Sequence, residues 1–304
     1  MAWRVLVTEP VHEDALRLLR AAGFQVIGPG APLVPADALL VRLHKVPEPH
    51  VADYQVICKH GVGVDNIPLK AAAAAGVAAM NTPGANAGAV AEQSLLLMLA
   101  LARAYDAQRA AAAAGAPPPR LRGLEGLRLL VVGFGASGQK LAGFGRAMGM
   151  AVTVHSRSLS KAGDAGFAIA ASLAQGLAGA DVVSLHCPLS DATRGLLNAK
   201  TLGLLPRGAM IVNCARGGLI DEPALIAALD AGALGGAGLD VTATEPLPLD
   251  HPLRQAKGVI LTPHAAAMSD GAFRRMGMMA AQNILDHFAG RPDPAHVVVA
   301  ARPP

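Results

Sequence analysis

The sequence predicts an α/β protein of two domains, each built on a parallel sheet. Three observations predict it. Strand-like and helical stretches alternate from Trp3 to Thr262. Leu129 to Gly138 reads LLVVGFGASG, an apolar run that ends in a glycine turn. Between the two blocks of alternation stands a long helix, roughly Ala87 to Ala114, ended by Gly115 and Pro117 to Pro119. A chain of 304 residues with 52% hydrophobic composition can hold two such cores.

In the first block, Trp3 to Thr8 reads as a strand, His12 to Ala22 as an amphipathic helix stopped by Gly23, and Phe24 to Ile27 and Ala38 to Arg42 as strands. Val56 to Lys59 is a further strand leading into GVGVDN at Gly61 to Asn66. The alanine run Ala71 to Ala75 is helical, and Val77 to Met80 is a strand before an NTPG turn. The long helix carries Leu95, Met98, Leu99 and Ala102 on one face and reads as the connector between domains.

The second block opens on Leu127 to Val132, a strand with no polar residue after Arg128 and so buried on both faces. Gly133, Gly135 and Gly138 fit G-x-G-x-x-G, and Gln139 to Met148 has the length and spacing of the helix that should follow. The first glycine permits the tight turn, the second lets backbone approach a pyrophosphate, and the third lets the helix pack closely on the strand. The turn as a whole, with Phe134, Ala136 and Ser137 between the glycines, is therefore the candidate dinucleotide cradle, in a doubly wound sheet of Rossmann type. Strands Ala151 to His155, Asp181 to Leu185, Ala209 to Asn213, Gly236 to Val241 and Val259 to Thr262 continue the sheet, with helices at Ser172 to Leu177 and Glu222 to Ala231. A last helix, capped by Ser269 or Asp270, bears Phe273, Met276, Ala280, Ile284 and Phe288 on one stripe and is expected to return to the first domain. Residues 1–97 with 270–304 are thus expected to form a smaller, flavodoxin-like substrate domain, and 98–269 the dinucleotide-binding domain.

Composition excludes several classes. The net charge of +4 is spread along the chain, and aromatics are 3% of residues, which argues against nucleic acid as a partner. Met1 to Val7 runs straight into a strand without a leader pattern, and Arg103 interrupts the most apolar helix well short of a membrane span. A cytosolic protein without a membrane partner is expected. Cys58, Cys187 and Cys214 lie far apart and in no C-x-x-C, so neither a disulfide framework nor a metal site is suggested.

In a doubly wound sheet ligands bind at the carboxyl ends of strands. Arg216, Asp240, Glu245 and His264 all follow strands there, as do Cys187, Pro188 and Cys214, which are taken as lining the cofactor site. Hydride transfer to a ketone needs a cation for the substrate carboxylate and carbonyl, and an acid to protonate the new alkoxide. Arg suits the first task through its planar fork. His suits the second, particularly beside a carboxylate such as Glu245.

The segments NCARGGLIDEPALIAAL, GLDVTATEPLP, LTPHAA, HGVGVDNI and NTPGANAGAVAEQSLLLMLALAR resemble, in order and over nearly the whole chain, the signatures of the D-isomer-specific 2-hydroxyacid dehydrogenases. The resemblance implies that Arg216 binds the substrate carboxylate and carbonyl, that His264 is the general acid/base, and that Glu245 is its partner. It further implies that backbone amides near Val62 and Gly63 hold the carboxylate, and that Asp240 faces the nicotinamide. Formate dehydrogenases of the same superfamily are less similar, since they lack an acid where Glu245 stands. Small 2-hydroxy or 2-keto acids are the implied partners, and a homodimer the implied assembly, although the segment before the glycine turn is short and lacks a tryptophan frequent there. No regulatory domain is expected after the last helix. Corepressors that share this fold and its Arg/Glu/His set supply the alternative, a dinucleotide-sensing interaction protein.

The second strand of the nucleotide sheet ends in His155-Ser156-Arg157-Ser158, with no carboxylate to accept from a ribose 2′-OH. Arg157 with Ser156 and Ser158 could bind a 2′-phosphate, so NADP(H) is expected over NAD(H). Arg42 and Lys59, at strand ends of the first domain, are expected to face the substrate and to accept a second anionic group on it. The resemblance adds that 3-phosphoglycerate dehydrogenases place basic residues near both positions. His44 and His60, nearby, read as ordinary polar residues.

Overall fold

The computed structural model describes residues 2–157 and 159–301 and divides into two compact units, 1–86 with 267–304, and 87–266. In chain order the first unit contributes β1 (Arg4–Val7), α1 (Glu13–Ala21), β2 (Gln25–Ile27), β3 (Ala38–Val41), β4 (Val56–Lys59), α2 (Leu69–Ala75) and β5 (Ala78–Met80). The second contributes α3 (Ala87–Ala102), α4 (Tyr105–Ala114), β6 (Arg128–Val132), α5 (Ala136–Ala147), β7 (Ala151–His155), α6 (Leu159–Asp164), β8 (Ala168–Ile169), α7 (Leu173–Ala178), β9 (Val182–Leu185) and α8 (Ala199–Leu202). It continues through β10 (Ala209–Asn213), α9 (Glu222–Asp230), β11 (Leu234–Leu239) and β12 (Val259–Leu261). The chain then returns to the first unit with α10 (Asp270–Phe288) and β13 (Val297–Val299).

The first sheet has the order β13-β5-β4-β3-β1-β2, parallel except for β13. Without β13 this is the 2-1-3-4-5 order of a flavodoxin-like sheet. Its inner strands β1, β3, β4 and β5 are buried on both faces, as their apolar runs require. Val5, Val7, Leu40, Cys58 and Met80 pack on one side with α1 and α10, while Leu6, Leu39, Val41, Ile57 and Ala79 pack on the other. On α10, Met276, Ala280 and Ile284 are buried, and Phe288 closes on Trp3 and Phe24. Ser269 is the N-cap residue of α10, without a side-chain hydrogen bond. Strand β13, a strand absent from the sequence expectations, pairs antiparallel with β5 (Val297 with Met80) and covers that edge.

The second sheet is parallel throughout, in the order β12-β11-β10-β9-β6-β7-β8. Counted along the chain from β6, this is the Rossmann order with a seventh strand, and its switch point lies between β6 and β9. Leu129 and Val131 face one core and Leu130 and Val132 the other, as predicted for the central strand.

Two expectations are corrected here. The single helix expected from Ala87 to Ala114 is two, α3 and α4, whose axes differ by 53° because Ala104 takes a left-handed conformation (φ 44°). Nor does α3 merely connect: it packs on α5, β10 and β11. A Cβ on Gly238 of β11 would stand 2.8 Å from Leu97 Cβ, so the bare strand lets the helix lie directly on the sheet. The division therefore falls before α3, at 86/87 and again at 266/267, rather than at the expected 97/98 and 269/270. Among the described residues no single helix is long and apolar enough to cross a membrane.

Candidate active site

The glycine turn lies at the switch point of the second sheet. Gly133 has φ 99°, and a Cβ there would meet the His186–Cys187 peptide at 2.6 Å; one on Gly138 would meet the Gly133 carbonyl at 2.1 Å. Both positions therefore exclude any side chain. Gly135, the N-cap of α5, has open space where its Cβ would be, and no side chain caps the helix. The free N–H groups of the first turn of α5, beside a bare and accessible backbone, suit a pyrophosphate. Phe134 contributes backbone only: its ring is buried against Phe167, and its carbonyl accepts from Gln139 Nε2. Ala136 is exposed and Ser137 half-buried at the turn, and Ser137 Oγ lies 3.1 Å from Nδ1 of His186, a residue the sequence reading passed over.

Beyond β7, Ser156 is half-buried and Arg157 exposed; Ser158 lies outside the described residues. Burial pushes the Cys187 thiol up, while the positive field of Arg157 acts on it in the opposite sense. Arg157 thus stands near the carboxyl end of β9, where Cys187 is half-buried and Pro188 exposed. Cys214, after β10, is buried and its thiol is pushed up to about 12, chiefly by burial, with the Asp240 carboxylate adding and a hydrogen bond to Ser94 opposing.

Arg216, Glu245 and His264, singled out for chemistry from the sequence, follow β10, β11 and β12; Glu245 and His264 are in contact, while the Arg216 guanidinium donates to the Ala215 carbonyl at 2.7 Å and acts on Glu245 through its charge. Asn213 closes β10 fully buried; its amide donates to the Arg216 carbonyl (2.9 Å) and its carbonyl accepts from Ala215 N–H (3.0 Å), which holds the loop bearing Arg216. Gly217 follows without room for a Cβ, which would come within 1.9 Å of the Thr242 carbonyl carbon, so the Arg216 loop lies flush on the loop that carries Glu245. Glu222, buried on α9, accepts the Ala243 N–H at 2.6 Å and braces that loop from the other side.

Glu245 Oε2 is 2.6 Å from His264 Nδ1, and its Oε1 accepts the Thr242 N–H at 3.0 Å. Burial would raise the Glu245 carboxyl. The His264 hydrogen bond and charge, with the Thr242 N–H and the field of Arg216, outweigh it and hold the group below the usual glutamate range. Both partners remain about one-third exposed (His264 35%, Glu245 37%).

His264 itself has φ 52°, a left-handed conformation, and the structure shows what maintains it. Its N–H donates to the carbonyls of Asp240 (2.8 Å) and Thr262 (3.0 Å). The Asp240 carboxylate, 1% exposed, accepts the Thr262 hydroxyl (2.6 Å) and the N–H groups of Ala265 (2.8 Å) and Ala266 (2.9 Å). The expectation that Asp240 faces a nicotinamide is thereby revised, because its carboxylate is turned inward and fixes the bend bearing His264.

In the first unit, the turn at Gly61 to Gly63 is pinned from behind. The Gly61 N–H donates to the Thr82 hydroxyl (3.0 Å), and Asn81 Nδ2 donates to the Val62 carbonyl (2.7 Å). Among the described residues no protein acceptor takes the N–H of Val62 or Gly63. Arg42 and Lys59 part company. The Lys59 ammonium, on a residue 8% exposed, donates to the Arg42 carbonyl and to Asn66 Oδ1 (2.7 Å), so it ties two loops instead of presenting a cation outward, contrary to expectation. Arg42 lies over the Phe273 ring, 5.7 Å from guanidinium carbon to centroid, with its Nε buried and, among the described residues, without a hydrogen-bond partner. His60, beside it, is buried, and burial foremost pushes its imidazole down to about 4, with the Arg42 and Lys59 charges acting in the same direction.

Strand order, glycine turn and an imidazole–carboxylate pair at the strand ends together define a dinucleotide-binding protein of the dehydrogenase type. Comparison with known sequences and structures agrees. The sequence model of the family described as "D-isomer specific 2-hydroxyacid dehydrogenase, NAD binding domain" matches residues 95–266. The chain is 36% identical over 297 residues to D-3-phosphoglycerate dehydrogenase of Methanocaldococcus jannaschii, covering 92% of this chain and 56% of that protein. It is also 36% identical over 264 residues to glyoxylate reductase of Aeropyrum pernix, covering 82% and 79%. Among solved structures, the TT0316 protein of Thermus thermophilus superposes with a TM-score of 0.88 at 36% identity, over 97% of this chain and 100% of that one. The chain belongs to the D-isomer-specific 2-hydroxyacid dehydrogenase family. It spans about half the length of the 3-phosphoglycerate dehydrogenases it matches.

Proposed function

We propose that the protein reduces a 2-ketoacid reversibly to the D-2-hydroxyacid, with NADP(H) favoured over NAD(H). The observation that carries the reading is the 2.6 Å contact between His264 Nδ1 and Glu245 Oε2, in the same unit as the glycine turn. The turn, with α5 behind it, would hold the pyrophosphate of the dinucleotide, which when bound supplies the hydride. The protein's own groups do the rest. Arg216 anchors the carboxylate of the ketoacid and polarises its carbonyl. Glu245 fixes the proton of the imidazolium on Nδ1, so the Nε2–H of His264 is the one available to the carbonyl oxygen as it becomes an alkoxide. In the first unit, the N–H groups of Val62 and Gly63 form a carboxylate-binding turn. The absence of an acid after β7 and the position of Arg157 near Cys187 support the NADP(H) preference.

The substrate is either a small ketoacid of the glyoxylate or hydroxypyruvate kind, or one with a second anionic group, as in 3-phosphoglycerate. The buried Nε of Arg42, without a hydrogen-bond partner among the described residues, supports the second, and Lys59 is left out of it. A homodimer is part of the proposal, supported by α4, which buries none of its residues. So is cytosolic residence, supported by three free cysteines.

The test is loss of nicotinamide absorbance when purified protein is mixed with NADPH, or NADH, and a panel spanning glyoxylate, hydroxypyruvate, phenylpyruvate, sulfopyruvate and 3-phosphohydroxypyruvate. NADPH turnover on one of them, with Arg157→Ala reducing the NADPH preference about tenfold, is the expected result. Absence of turnover with both cofactors overturns the reading. An unchanged preference for di-anionic substrates in Arg42→Ala removes Arg42 from the site.

A further inference from the structure

Within the second unit, the reading of the glycine turn as a dinucleotide cradle leaves unexplained one polar chain that runs from a buried serine out to the turn. Ser184 and His186 stand two residues apart on and just beyond β9, so their side chains share one face. Ser184 Oγ is 3.0 Å from His186 Nε2, and His186 Nδ1 is 3.1 Å from Ser137 Oγ, at the start of α5. Ser184 is fully buried, whereas Ser137 is partly open to solvent. Gly138 makes room for this chain, because a Cβ there would come within 3.3 Å of His186 Cβ. Burial pushes the imidazole down to about 4, so it is neutral near pH 7, with one nitrogen bearing hydrogen and the other accepting.

The buried end decides which. Among the described residues, His186 Nε2 is the one hydrogen-bond partner of the Ser184 hydroxyl. Were Nε2 to carry the hydrogen, the Ser184 hydroxyl hydrogen would be a buried donor with nothing to receive it, a costly arrangement. Ser184 therefore donates to Nε2, the ring hydrogen sits on Nδ1, and Nδ1–H donates to Ser137 Oγ. One lone pair of Ser137 Oγ is then occupied by the imidazole, and its own hydrogen is left to donate to another acceptor.

We propose that Ser184 and His186 are positioning residues that orient the Ser137 hydroxyl as a donor to a pyrophosphate oxygen, an additional side-chain contact in a turn that otherwise binds through backbone. The inference rests on the dinucleotide reading above, and the experiment separates the two. Binding of ADP-ribose, which carries the pyrophosphate, and of 2′-AMP, which lacks it, is measured by calorimetry on the full chain. Ser137→Ala is expected to weaken ADP-ribose about tenfold and to leave 2′-AMP unchanged, as loss of one hydrogen bond to a charged oxygen requires. In parallel, long-range 1H–15N spectra of the ligand-free protein are expected to show His186 as a single Nδ1–H tautomer, and Ser184→Ala to abolish that preference and weaken ADP-ribose by a smaller factor. Equal ADP-ribose affinity in Ser137→Ala, or an Nε2–H tautomer in the unsubstituted protein, overturns the relay while the dinucleotide reading stands. Failure of the unsubstituted protein to bind ADP-ribose, NADPH or NADH overturns both.

Discussion

Both units end their parallel strands in loops rich in charge, and the two use that charge differently. In the first, Glu9 after β1 accepts the Thr8 hydroxyl and the N–H groups of Arg42 (2.9 Å), Leu43 (2.5 Å) and His44 (2.7 Å) after β3, while Lys59 holds the Arg42 carbonyl and Asn66. A carboxylate of the protein itself thus takes the backbone N–H groups at the switch point between β1 and β3, the place where such sheets commonly bind ligands. In the second unit the holding is done by buried Asn213, Asp240 and Glu222, and His264 and Glu245 stay accessible. The lesson is that a charged residue at a strand end is assigned by where its bonds go: inward bonds make a brace, whereas the His264–Glu245 pair stays open to solvent, as the proposed proton transfer requires.

The largest effect is expected at the accessible pair. His264→Ala is expected to lower kcat by about a thousandfold, as for loss of a general acid, with NADPH affinity and the far-ultraviolet circular dichroism spectrum unchanged. Glu245→Gln keeps a hydrogen-bond acceptor but removes the charge, and should lower kcat about ten- to a hundredfold in the same assay. If either variant loses stability rather than turnover, this pair is a brace as well.

The first unit should respond in the opposite way. Glu9→Gln leaves backbone N–H groups poorly satisfied and is expected to cost about 1–3 kcal/mol in urea unfolding, with little effect on kcat. Burial alone would raise the Glu9 carboxyl, but its hydrogen bonds to Thr8, Arg42, Leu43 and His44 hold it below the usual glutamate range. The sign follows: its contribution is complete above the ordinary glutamate value and is lost as pH falls through the lower folded-state value. Unfolding curves at descending pH should therefore converge for the Glu9→Gln variant and the unsubstituted protein. The smallest effect is expected for Lys59→Met, with KM for any active ketoacid changed less than about twofold and stability lowered by about 1 kcal/mol. A large rise in KM there would return Lys59 to the substrate.

Much of this was legible in the residues. Gly133, Gly135 and Gly138 declare their turn because backbone room is a property of glycine alone, and Arg216, Glu245 and His264 follow apolar runs short enough to be strands. What was not legible depends on which strands become neighbours. Ser137 and His186 meet only because β9 lies beside β6, and Glu222 reaches Ala243 only through the way α9 meets the loop after β11. The direction of a side chain is a second blind spot: Asp240 and Lys59 were placed correctly at strand ends, yet their charged groups turn inward. Ala104, in an alanine-rich stretch, carries no sign of the bend it makes.

The antiparallel strand β13 has a consequence for how the chain is made. Its partner β5 ends at Met80, while β13 begins at Val297, with the whole of the second unit emerging between them during synthesis. On the ribosome the nucleotide-binding unit is complete once residue 266 has emerged, while the earlier-born sheet still waits for α10 and its last edge. The order of birth and the order of completion are therefore reversed, and the first unit's sheet spends most of translation with one face covered by α1 alone.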